Sequence, residues 1–552
     1  MASRRDVSGR RQIAVAAALL VAVAIRVGYV HSGGVAVDEF QHLHAAYLVS
    51  RGERPYADFF EHHTPLFYLL GGAAMPRDPT FDTIVRFRFA ALAAHFITVV
   101  IGSLWAGSVA GAGAAALTAA LLLGNFFSFA FGTLAYLDSF AAPLLLGAAA
   151  LLAAGAGRPL RLCVAGALLA AAMLTTQKLG IAIAAVLIVF LGRSPLAVDR
   201  PWRSWLTEVG AFALGGSVVT AAVLWRLGGE AAAGLVRDAF ILNLHWKARH
   251  PPLKEIGLLG ASDGFLYLVA LHATAITGWN LVRRRFVVHP EDVPALFVAA
   301  FGVGAVVLPV VWSEYFIVPV TFATVVAALS IHRHWRDGTW ARMSPLRSAW
   351  ALPFAALLLA GVTARCGVTT FLPRAQGFPA WAAAASFALS ASLALAGART
   401  YQHRAATSAP LWVALLLAYP LVQQVEWAAS SSNASQRRAV DYVLATTTPT
   451  ETVFDGYSGY GVFRPHAYRY WFLHDEVQLM LSERERTESI IAALEDRRPP
   501  LAIVDQWTRL LPQPVLDYIG SHYENTPLLD IKRRTSQPNA HLGVTHREGE
   551  FV

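Results

Sequence analysis

The chain has 552 residues, 55% of them hydrophobic and 15% charged, whereas an ordinary soluble domain carries roughly 25% charged residues. Its two cysteines, Cys163 and Cys366, both lie in or beside apolar segments, which excludes a disulfide framework and a CxxC metal site. The net charge of +9 comes from arginines set between apolar runs, without any aromatic-basic module, so it signals membrane topology rather than nucleic-acid binding.

In chain order, apolar runs of about 15–20 residues, enough to cross a bilayer, cover 13–30, 83–105, 114–131, 139–156, 162–175, 179–191, 209–225, 265–279, 293–311, 316–331, 351–364, 381–395 and 411–425. The first follows Arg4, Arg5, Arg10 and Arg11. It is long and has no small-residue cleavage site, so it reads as a retained span rather than a signal peptide. Arginines gather in the gaps at Arg158/Arg161, Arg193/Arg200/Arg203, Arg283/Arg284/Arg285, Arg333/Arg336/Arg342/Arg347 and Arg399/Arg404. Placing each gap and the N-terminus in the cytoplasm predicts one zigzag of about 13 transmembrane helices with the C-terminus outside. The short runs 162–175 and 179–191 then form a hairpin tipped by Gln177-Lys178.

The first extracytoplasmic loop, 31–82, follows the first run directly. Phe40, Leu43 and Tyr47 recur at helical spacing with His42 and His44 between them, which predicts an amphipathic helix on the membrane surface. Pro55-Tyr56-Ala57-Asp58 predicts a turn, and Pro65 opens a second helix. Beyond the membrane part, 1–429, residues 430–437 read as a polar linker, 438–535 as a small soluble α/β domain outside the membrane, and 536–552 as a disordered tail. Within that domain, strands are expected at 451–454 and 501–504, each ending at an aspartate, Asp455 or Asp505. Helices are expected at 438–446, 483–494 and 515–522.

The fold class is therefore an all-α polytopic membrane protein with a small C-terminal α/β domain. Its acidic and histidine-bearing positions collect on the face that lacks arginine gaps. Asp38, Glu39, Glu61 and Asp138 all fall there, and carboxylates beside a bilayer are rare unless functional. A carboxylate at that boundary can act as a general base toward a hydroxyl, and a departing phosphate needs cations. Arg86, Arg88 and Lys178 are the candidates, although arginines at such positions also snorkel to headgroups. His62, His63 and, from a later loop, His245 could join Glu61 around a divalent cation, although adjacent histidines do not easily share one ion. No nucleotide-binding glycine loop is visible.

The segment Asp38-Glu39, Ala45-Ala46-Tyr47, Gly52, Pro55-Tyr56-Ala57-Asp58-Phe59 and Pro65-Leu66 resembles the GT-C glycosyltransferases, in particular their protein mannosyltransferase-like and aminoarabinose-transferase-like bacterial branch. Tyr136-Leu137-Asp138-Ser139 resembles that branch's second acidic position, and Thr175-Thr176-Gln177-Lys178-Leu179-Gly180 its Thr-Lys-Gly turn with an inserted Gln. Phe60-Glu61-His62-His63-Thr64-Pro65 resembles its Glu-Lys-Pro element, with His-His-Thr in place of the Lys. The resemblance implies an inverting transferase of the inner membrane. It would move a sugar from a polyprenyl-phosphate donor to a cell-envelope glycan, lipid or protein. Asp38 would be the catalytic base or its positioning partner, with Glu39 beside it. Glu39, Glu61 and Asp138 would bind acceptor or a divalent ion, and Arg86, Arg88 and Lys178 would hold the donor phosphate. The competing expectation is a transporter or flippase of lipid-linked sugars, whose ionisable groups would lie near the midplane.

Overall fold

The structure, a computed structural model, describes residue 17 and residues 19–245, 253–308, 310–336, 409–528 and 530–535. Among these, six helices are long and apolar enough to cross a membrane: Phe81–Ala110, Leu137–Ala154, Trp202–Leu227, Ser262–Arg283, Pro290–Val307 and Ser313–Arg336. The expected runs 351–364 and 381–395, the gaps at 342, 347, 399 and 404, and the tail 536–552 lie outside the described residues.

Three apolar helices are shorter: Ala112–Gly124, Pro159–Thr175 and Gln177–Leu191. The second and third form the expected hairpin, joined through a 3-10 turn over Gln177–Ile181. The run 114–131 is not one helix. It breaks at Asn125, whose side-chain oxygen accepts from Ser128 N at 2.7 Å and starts a new short helix, Phe126–Ala130. Such side-chain caps compete with helix continuation, and the apolar flanks hide this one.

Helices Leu19–Ser32 and Val37–Ser50 meet at 65°. The second is the helix expected on the membrane surface as an amphipathic one, but along most of its length it has no open face. Every residue from Glu39 to Leu48 is buried. The bend comes from Ser32–Ala36, which hydrogen-bonds to the polar stretch after 430. Asn433 N donates to Ser32 O at 2.9 Å, and Gln436 brackets Val35 with two bonds of 2.7 Å. The expected linker is thus a docked segment that runs into helix Ala434–Thr446.

The C-terminal part carries one four-stranded sheet in the order β1-β2-β4-β3, with β1 Val453–Asp455, β2 Leu501–Ile503, β3 Tyr523–Asn525 and β4 Ile531–Arg534. β1 and β2 pair in parallel; β4 runs antiparallel to both β2 and β3. β1 and β2 are buried throughout and read as strands in the sequence, whereas β3 and β4 are short and charged and do not. One hydrophobic cluster joins the first loop to this layer: Phe40, Leu43, Tyr47 and Phe60 pack with Phe454, Phe463, Trp471 and Phe472.

Candidate active site

Helix Val37–Ser50 places Asp38 and Glu39 in its first turn. Glu39 is fully buried and fully engaged. It accepts from Ala36 N at 2.9 Å, from Ala135 N at 2.8 Å and from Arg88 Nε at 2.8 Å. The Arg88 guanidinium is also fully buried and donates onward to Gly33 O at 2.7 Å and to Gly34 O. Arg88 therefore does not face a donor phosphate; its bonds hold Glu39 and the bend before the helix. Arg86, two residues earlier and so on the opposite face of the helix, is exposed.

By holding Ala135, Glu39 fixes the turn that starts helix Leu137–Ala154, whose first turn carries Asp138. Asp138 is 2% exposed and pairs through Oδ2 with Lys178 Nζ at 2.8 Å. The same Nζ lies 3.5 Å from the ring centre of Tyr315. Lys178 is close enough for its charge to act on Asp38, Asp138 and Glu314. Asp138 thus pairs with this ammonium group directly, and carboxylates from two further elements, Asp38 and Glu314, lie within reach of its charge. The phenols of Tyr136, Tyr315 and Tyr457 lie within the same field, and Tyr457 donates a hydrogen bond to Asp38 Oδ1.

The Glu61-His62-His63 loop abuts this group. Gln177 Nε2, beside Lys178, donates to His62 O at 2.9 Å, and Asn243 Nδ2 donates to the same oxygen at 2.8 Å. Thr64 Oγ1 donates to Met173 O at 2.9 Å, tying the loop to the hairpin. Glu61 is fully buried, and its Oε1 accepts from His62 N, His63 N and His63 Nδ1. Burial pushes the Glu61 carboxyl up to about 7. Burial also holds the His62 ring well below its ordinary value and brings His63 down to about 3. Both imidazoles are therefore neutral and keep a lone pair at physiological pH.

The adjacent histidines do converge, contrary to expectation. Their ring centres are 4.0 Å apart, and one ligand atom from each of Glu61, His62 and His63 lies within 4.8 Å of the others. A carboxylate with two neutral imidazoles is a donor set that suits a divalent ion. His245 is not part of it; it is exposed, and its Nδ1 bonds to Ile241 O at 2.8 Å.

No family description matches the chain, and no curated protein sequence does. Solved structures do. ArnT from Cupriavidus metallidurans bound to undecaprenyl phosphate superposes with a TM-score of 0.60 at 16% identity, over 95% of this chain and 98% of that one. The apo state of ArnT gives 0.58 at 17% identity, over 92% and 94%. The chain has the GT-C fold.

Within the GT-C fold, Asp38, Asp138 and Lys178, all marked in the sequence by topology, come together. Glu314 and Tyr457 join them without having been expected. Glu314 had the same signal as Asp138: an acidic residue opening an apolar run on the same face. Tyr457 had none, because it lies 419 residues from Asp38 in the chain.

Proposed function

We propose that this chain is an integral-membrane glycosyltransferase that moves a sugar from a polyprenyl-phosphate donor to a hydroxyl acceptor by direct inverting displacement. The observation that carries the reading is the convergence of Asp38 and Asp138 with Lys178 at the end of a GT-C bundle. The acceptor oxygen attacks the anomeric carbon as the bond from that carbon to the phosphate oxygen breaks. The acceptor proton passes to Asp38, and the polyprenyl phosphate leaves with the bonding pair. Lys178 meets the charge that develops on the phosphate, and Arg86 can hold its headgroup at the surface. Asp138 orients Lys178.

ArnT was solved with undecaprenyl phosphate bound, which supports a polyprenyl donor here. Glu61, His62 and His63 would hold a divalent cation, which would add positive charge near the leaving phosphate. The site would face outward from the inner membrane, with the N-terminus in the cytoplasm. Residues 1–429 would form the transferase part and 438–535 an extracytoplasmic domain closing over it. A transporter would spread its ionisable groups toward the midplane; Asp38, Asp138 and Lys178 instead gather where the bundle meets the C-terminal layer.

The test uses the purified full chain in vesicles with a labelled polyprenyl-phosphate sugar and total envelope lipid or glycan as acceptor. Labelled acceptor together with free polyprenyl phosphate is the expected result. Movement of intact donor across the bilayer without cleavage contradicts the proposal and favours the transporter.

A further inference from the structure

The C-terminal layer does more than cover the site. Tyr457 follows β1 and reaches back to helix Val37–Ser50, where its hydroxyl donates to Asp38 Oδ1 and lies 3.2 Å from Gln41 Oε1. A phenol has one proton to give, and the closer partner is Asp38. Among the described residues, no hydrogen bond to Asp38 Oδ2 is seen beside the one that Oδ1 takes from Tyr457.

The loop that carries the phenol is held in place. Asp505, two residues past β2, accepts from the backbone N–H groups of Tyr457 and Ser458 at 2.7 Å each through Oδ2. Its Oδ1 accepts from Trp507 N at 3.1 Å, Thr508 N at 2.7 Å and Thr508 Oγ1 at 2.8 Å. Asp455, at the end of β1, accepts from Ser458 Oγ and Gly461 N at 3.0 Å each. The phenol ring packs edge-on to Trp507 and against His474, both with centroids at 5.0 Å. At Gly459 the backbone has φ +79, and an added Cβ would fall 2.1 Å from Phe40 Cβ, so the loop rests directly on the helix beside Asp38.

We propose that Tyr457 is a positioning residue of the transfer site, delivered by the C-terminal layer to fix Asp38 with Oδ2 free for the acceptor hydroxyl. This rests on the reading of Asp38 as the base. The phenol keeps its proton throughout. It orients the carboxylate, and a hydrogen bond to the charged form keeps that form populated. The other groups that bear on Asp38 are Lys178, Glu39 in its pair with Arg88, Asp138 and Glu314, together with the phenols of Tyr68, Tyr136 and Tyr315.

The experiment compares Tyr457→Phe, Asp38→Asn and the double variant, each as the full chain in vesicles with the same polyprenyl-phosphate sugar. Tyr457→Phe should lower kcat about tenfold, as expected for one hydrogen bond to a charged group, with KM for the donor within about twofold. The acid limb of its kcat/KM profile should move about one unit toward higher pH. The double variant should be no slower than Asp38→Asn. A pH profile that superimposes on wild type, with Asp38→Asn inactive, overturns this inference alone. An Asp38→Asn variant as active as wild type overturns the functional reading beneath it. If Tyr457→Phe does not accumulate, 3-fluorotyrosine at position 457, a stronger donor, should move the acid limb to lower pH; an unmoved limb overturns the proposal.

Discussion

Arg88 and Glu39 show how much one buried pair organises. Neither is exposed, and between them they bind Ala36, Gly33, Gly34 and Ala135. Removing one partner of a buried pair leaves an uncompensated charge and costs about 3–5 kcal/mol. Arg88→Gln should therefore lower the unfolding midpoint sharply in detergent, and Arg88→Gln with Glu39→Gln should be less harmful than Arg88→Gln alone. Both residues stood out in the sequence as charges beside a membrane, but their roles did not. A catalytic carboxylate and a structural one look alike until the partner 49 residues away is seen.

Asp455 gives a pH signature at the same scale. Burial, with the Asp505 charge beside it, pushes its carboxyl up from 3.8 to about 7. Its folded value is raised, so the proton is held more tightly in the native state. The stabilisation is fully present below about 3.8 and is lost as pH rises through about 7. Thermal midpoints should fall across that window and Asp455→Asn should flatten the slope; an unchanged slope contradicts the assignment. For the Glu61 group, His62→Ala and His63→Ala should each reduce retained zinc in dialysed protein, whereas His245→Ala should not.

At the scale of elements, the hairpin that carries Lys178 depends on helix Pro159–Thr175 meeting helix Trp202–Leu227 closely. A Cβ on Gly166 would fall 1.9 Å from Phe212 O, and one on Gly215 would fall 1.8 Å from Cys163 O. Backbones approach at such positions because both helices offer glycine. Gly215→Ala must part the helices, with an expected cost of about 1–3 kcal/mol and lower transfer activity as Lys178 shifts. Gly210→Ala, with nothing near its Cβ, should be neutral or slightly stabilising. Unfolding midpoints of the two variants check this. The hairpin itself was legible, because arginines flank both of its short runs and force the chain out and back. The break at Asn125 was not, because the signal is one polar side chain inside an apolar run.

On the scale of the whole molecule, the first loop and the C-terminal layer share one core, and Tyr457 links that core to Asp38. Hydropathy distinguishes the membrane part from the α/β layer but not their docking, because the contacts pair residues about 400 positions apart. Deleting 431–552 would expose Phe40, Leu43, Tyr47 and Phe60, each worth about 1.5–3 kcal/mol of burial. The truncated bundle should aggregate in size-exclusion chromatography rather than elute as a trimmed native protein. The proposed role of Asp38 in taking the acceptor proton during sugar transfer is decided by the transfer rate of Asp38→Asn in vesicles at matched protein levels. A general base at Asp38 entails a loss of about a hundredfold or more with the unfolding midpoint retained. Transfer at the wild-type rate would contradict it.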